Sequence, residues 1–117
     1  MKTPLLFSLA LGFCQPAGQL SQDETAQARA LLTSYGCWSC HVVPGMPGPA
    51  SNTGPPLTGQ AQKAYVAGVV PNTADMLTAF IMDPRRIDPL TAMPELGVTE
   101  SEARLIALYL LDHGGAR

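Results

Sequence analysis

Apolar side chains recur at helical spacing in three stretches of the chain. Ser21 and Glu24, three positions apart, have the pattern of a capping box, and Ala28, Leu31, Leu32 and Tyr35 follow at intervals of three and four before Gly36. This spacing predicts a first helix. Asn72 and Thr73 offer N-cap side chains for a second, in which Met76, Leu77, Phe80 and Ile81 share a face expected to be core, ended by Asp83 before Pro84. Thr99 and Glu102 repeat the capping-box pattern, and the run from Arg104 to Leu111 is almost wholly apolar until Gly114 and Gly115. This last helix is expected to pack on the first.

The stretches between the helices are punctuated by proline. Val42 to Gly59 holds Pro44, Pro47, Pro49, Pro55 and Pro56, and Asp83 to Gly97 holds Pro84, Pro89 and Pro94, with glycines interspersed. Both read as ordered loops and not as a β-sheet. The predicted class is therefore all-α, with no internal repeat or low-complexity tract. Long loops in a small domain call for something to enclose.

The amino terminus reads differently. Lys2 is followed by an apolar run from Leu5 to Phe13, broken by Ser8 and Gly12, which has the form of a secretory leader. The run falls short of the roughly twenty apolar residues needed to span a bilayer. Residues 1–20 are thus expected to be a leader or N-terminal anchor and residues 21–117 a single domain. Cys14, at the end of the run, has the position of a lipoprotein acceptor, where cleavage before a cysteine leaves a diacylglycerol anchor on it. A lipobox wants a small residue before the cysteine, and Phe13 stands there, so the competing reading is that Cys14 leaves with the leader. The expected location is the periplasm or the outer face of the cytoplasmic membrane.

Of 117 residues, seven are basic and nine acidic, and without Lys2 the balance is −3. Such a chain has no electrostatic footprint for nucleic acid. A domain of about a hundred residues also has a thin core of its own, and a buried cofactor would supply much of the missing apolar contact.

The candidate chemistry lies in Cys37, Trp38, Ser39, Cys40 and His41. Two thiols three positions apart, with an imidazole next, describe covalent haem attachment: each cysteine takes one vinyl group and the histidine reaches iron. Other readings exist for the cysteine pair. A four-ligand zinc site needs a second ligand pair, and only Cys14 and His113 remain. A thioredoxin-like dithiol would follow a strand, and no β-branched alternating run precedes Cys37. A plain disulfide leaves His41 unexplained. Met46, Met76, Met82, Met93 and His113 are the candidates for a second iron ligand.

With Cys37, Cys40 and His41, the segment Gly54, Pro55, Pro56, Leu57, the run Asp83, Pro84 through Thr91, Ala92, Met93, Pro94, and a closing helix with Ala107, Tyr109 and Leu110, the chain resembles class I cytochromes c. The resemblance covers roughly Thr25 to Leu111 and is similar in its later part to bacterial cytochrome c domains associated with terminal oxidases. It implies a small cytochrome c fold, three or more helices with loops wrapped around one covalently bound haem c. Met93, in the place of the family's Met-Pro loop, is implied as the sixth ligand, giving His/Met-ligated iron. Pro55 resembles the proline whose carbonyl accepts the ligand histidine's Nδ1 proton, and Leu57 the haem-packing leucine. Thr91 resembles a propionate donor. Lys63 stands where many relatives carry arginine, and offers charge without a bidentate fork. Trp38 occupies a variable family position and is read as packing or surface area. Arg85 and Arg86, flanked by Asp83 and Asp88, read either as a basic rim of the haem edge or as a solvated mixed-charge turn.

The function implied is exported electron carriage between redox proteins, such as a terminal oxidase or a dehydrogenase, with no catalytic site of its own. Two rivals stand beside it. One is a permanently bound haem subunit of a larger redox complex, and the other an open-site haem peroxidase or gas sensor.

Overall fold

A computed structural model describes Gly12, residues 19–48 and residues 51–114. The expected leader, apart from Gly12 and residues 19–20, lies outside the described residues, and so does Cys14. Helix α1 spans Gln22–Ser34, α2 Ala74–Met82, α3 Pro84–Ile87 and α4 Glu100–His113. The described chain is predominantly helical, as the apolar spacing predicts. None of its described helices is long and apolar enough to cross a membrane.

Both capping boxes form as read. Ser21 accepts from the Glu24 amide while Glu24 accepts from Ser21 N–H, and Thr99 and Glu102 repeat the exchange at α4. At α2 the cap is Thr73, whose hydroxyl accepts from Met76 N–H at 3.1 Å. Asn72 does something else. Its amide donates backwards to the carbonyls of Gln60 (2.8 Å) and Lys63 (2.9 Å), tying the preceding 3₁₀ segment Leu57–Gln62 to the start of α2.

Two expectations need correction, and one further element falls in a stretch that the sequence pattern leaves unassigned. The loop Asp83 to Gly97 contains α3, because Pro84 starts a helix instead of merely ending one. Its fixed φ and missing N–H suit the first turn, and the Asp83 carboxylate accepts from Arg86 N–H. A small antiparallel hairpin also exists, with β1 at Tyr65–Val66 and β2 at Val70–Pro71, too short to carry an alternating signal. In α2 the buried side is Leu77, Thr78 and Ile81, with Phe80 packed against it, whereas Met76 is exposed. Thr78 can be buried because its hydroxyl donates to the Ala74 carbonyl one turn back.

Helix α4 packs on α1, as expected, and more extensively on α2. The core draws Ala28 and Leu32 from α1, Leu77 and Ile81 from α2, and Ala103, Ile106, Ala107, Tyr109 and Leu110 from α4. Alanine on both α1 and α4 leaves room for close helix approach. An exposed ion pair, Arg104 to Asp75 at 2.8 Å, adds a link between α4 and α2; at such exposure it is worth little.

Candidate functional site

Helix α1 delivers the chain to the cysteine motif by a left-handed residue. Gly36 has φ +70°, a conformation that costs a side-chain-bearing residue about 1–2 kcal/mol. The chain then makes a single 3₁₀ turn, Cys37–Ser39, and both Cys40 N–H and His41 N–H donate to the Cys37 carbonyl (3.3 and 3.0 Å). Residues three and four apart across one turn lie on one side of it. Cys37, Cys40 and His41 all line one cavity of about 600 Å³.

The segment after the motif runs alongside it, Gly54 N–H donating to the Cys40 carbonyl (2.7 Å) and Leu57 N–H to that of Val42 (2.9 Å). This brings the Pro55 carbonyl to 2.7 Å from His41 Nδ1. A carbonyl only accepts, so Nδ1 carries a proton, and in the neutral ring the lone pair is on Nε2. Gly54 is required for this approach. A Cβ placed on it would fall 2.6 Å from His41 Nδ1 and 2.8 Å from Nε2.

All eight residues singled out from the sequence line this cavity: Cys37, Cys40, His41, Pro55, Leu57, Lys63, Thr91 and Met93. They come from separate stretches of the chain. Of the five candidates for a second iron ligand, Met93 alone is among the lining residues. Met93 N–H donates to the Thr91 hydroxyl at 3.2 Å, which fixes the loop that carries it. Lys63 Nζ reaches the Pro56 carbonyl at 3.4 Å. His113 stacks on Tyr109 at 4.3 Å between ring centroids, with Nδ1 3.3 Å from the Tyr109 carbonyl.

The rest of the wall is mostly apolar. Leu32, Val66, Leu77, Phe80, Ile81, Ile106 and Leu110 contribute to it, so the helical core and the cavity share side chains. Its size lies within the range of about 300–1,000 Å³ usual for cofactor pockets. Burial pushes the Cys37 thiol up, with a smaller push from Cys40, against a backbone hydrogen bond that lowers it. A redox-active Cys-X-X-Cys pair needs a thiol shifted the other way. Among the described residues no group of three or more His, Cys, Asp and Glu side chains converges as a metal site.

Two features of the site have no local signature. The Tyr109 hydroxyl, buried in α4, donates to the Pro44 carbonyl at 2.6 Å and accepts from Arg29 Nε at 3.1 Å, pinning the loop after His41 to two helices. The Tyr35 hydroxyl, from the cavity wall, donates to Glu102 at 2.6 Å. That bond, then the α4 cap, holds the Glu102 carboxyl below its usual range, and the Tyr35 phenol is raised by the same bond.

Searches against protein-family models, curated proteins and solved structures found no match to this chain.

Proposed function

We propose that the chain is an exported monohaem c-type cytochrome that carries single electrons between redox proteins, such as a dehydrogenase and a terminal oxidase. One observation carries the reading most: His41 donates a hydrogen bond from Nδ1 to the Pro55 carbonyl, which leaves Nε2 as its ligating atom, and it lines a cavity that Cys37, Cys40 and Met93 also line. No dithiol or disulfide function needs an imidazole held in that tautomer, nor a methionine on the same cavity.

The residues present fit a haem c. The cavity is apolar, the glycine at position 54 leaves space that a side chain would take from the imidazole, and the donor set is two thiols, one imidazole and one thioether. Cys37 and Cys40 would form the thioether links, and His41 and Met93 would hold the iron. Bound there, haem supplies a one-electron ferric/ferrous couple. Pro55 orients His41 and raises its basicity. Met93 contributes a soft, neutral sulfur, which favours the reduced state more than a second imidazole would. Thr91 steadies the Met93 loop, and the apolar wall excludes water. With His41 and Met93 both given to the iron, no position would be left for a substrate, which supports a carrier and not an enzyme.

The test is covalent attachment. Produced with its own leader in a bacterial host that exports and attaches haem, the protein is expected to retain haem through denaturation and acid-acetone washing, and the double variant Cys37→Ala, Cys40→Ala to lose it. Loss of haem from the unmodified chain would overturn the reading. Mass spectrometry of the mature N-terminus reads leader cleavage and the fate of Cys14 in the same sample.

A further inference from the structure

The charged side chains lining the cavity are few. Besides His41 they are Lys63 and Asp88, and among the described residues Asp88 is the only acidic one lining a wall that is otherwise largely apolar. It sits at the end of α3, five positions before Met93, in the same lining segment as Thr91 and Met93. Its backbone is fixed on both sides, because Asp88 N–H donates to the Pro84 carbonyl (2.9 Å) and Thr91 N–H donates to its own carbonyl (3.1 Å).

The carboxylate itself is occupied on one side only. Oδ1 accepts from Leu90 N–H at 3.1 Å, and among the described residues Asp88 forms no ion pair: neither Lys63, which shares the cavity, nor Arg85 and Arg86 on the adjoining helix lies within salt-bridge distance. Asp88 is half-buried. The Debye length is about 8 Å at physiological ionic strength, so a charge on a residue that lines the cavity acts on what the cavity holds.

We propose that Asp88 is a potential-setting residue, an acidic residue lining the cavity that stabilises the oxidised protein over the reduced one and so lowers the reduction potential. This rests on the reading of the cavity as a haem site. The physical reason is elementary. Oxidation adds one positive charge to the cavity, and a nearby negative charge makes that addition easier. Asp88 thus acts against Met93, whose neutral sulfur favours the reduced state. Asp88 does so through charge alone, against the opposite charge of Lys63 on the same wall.

The test is spectroelectrochemical titration of the haem-loaded protein. Asp88→Asn keeps an oxygen that can accept from Leu90 N–H and removes only the charge; Asp88→Ser does the same with a smaller acceptor. Both are expected to raise the ratio of reduced to oxidised protein at fixed potential, by about tenfold for Asp88→Asn, which is a shift of about 59 mV for a one-electron couple. Asp88→Glu is expected to stay close to the unmodified protein. So is Asp83→Asn, since Asp83 caps α3 and is not among the cavity-lining residues. The optical band of thioether ligation, recorded on every variant, shows that Met93 stays in place. An unchanged or lowered potential in both neutral variants, or an equal rise in Asp83→Asn, would overturn the proposal. Absence of wash-resistant haem would instead overturn the cofactor reading on which it rests.

Discussion

Gly54 crosses the imidazole of His41 so closely that a Cβ at position 54 would lie 2.6 Å from Nδ1. The glycine is therefore a condition of the His41–Pro55 hydrogen bond. Gly54→Ala is expected to push the ring off the Pro55 carbonyl and to cost about 1–3 kcal/mol, the usual penalty for overpacking a fixed site. Thermal unfolding of the variant gives the cost, and if the proposed haem is bound its optical spectrum reports the displaced histidine. A variant with unchanged melting and spectrum would show that the segment yields without consequence.

Tyr109→Phe removes a hydroxyl that serves the Pro44 carbonyl and Arg29 together. Tyr109 is fully buried, so the Pro44 carbonyl would be left without its partner. The expected loss is about 1–3 kcal/mol, the cost of stranding a buried polar group. Denaturant unfolding measures it, and a loss well under that range would mean that water replaces the phenol.

The Tyr35–Glu102 bond makes stability depend on acid in a definite direction. A carboxyl held below its ordinary value in the folded state stabilises the fold above the unfolded value and ceases to do so as pH falls through the folded one. The main cause of the depression is the Tyr35 hydroxyl. Tyr35→Phe is therefore expected to raise the Glu102 titration midpoint, read by carboxyl-carbon NMR, and to weaken the fold near neutral pH more than in strong acid. A Glu102 midpoint that does not move would remove the bond from the account. Conversely, the raised Tyr35 phenol contributes stability below pH 10 that is lost as pH climbs past that value towards its folded midpoint.

At the hairpin turn Ala67 has φ +53°, a left-handed conformation that an alanine adopts at a cost, followed by Gly68 at φ +70°. Asparagine tolerates this region far better and is favoured at the first position of such turns. Ala67→Asn is expected to raise stability by about 0.5–1 kcal/mol. Equal melting temperatures in the two proteins would show that the turn relaxes instead.

Features governed by neighbours along the chain are legible in the sequence. The capping boxes at Ser21 and Thr99 need only residues three apart, and the Gly36 stop needs only one residue with freedom to turn left-handed. The eight residues that meet in the cavity are legible as well, but through motif resemblance, since spacing alone does not bring Met93 and Cys37 together. What is not legible depends on distance or on two-sided rules. Pro84 both ends α2 and opens α3, and its rule as a breaker hides its rule as a first helical residue. Asn72 bonds back to Gln60 and Lys63 in place of capping α2. The hairpin turns on Ala67 and Gly68, which lack the asparagine that would announce it. The Tyr109 bond to Pro44 joins residues far apart in the chain, and no pattern of neighbours encodes it.

If the proposed function holds, His41 and Met93 bind a single haem and leave its iron no free position. The most direct measurement is the near-infrared absorption of the oxidised, washed protein, where a weak band reports ferric iron bonded to thioether sulfur. The account expects that band in the unmodified protein and its loss in Met93→Ala, with covalent haem retained in both and carbon monoxide binding the reduced iron only in the variant. Retained haem without the band, or carbon monoxide binding to the unmodified reduced protein, would contradict it.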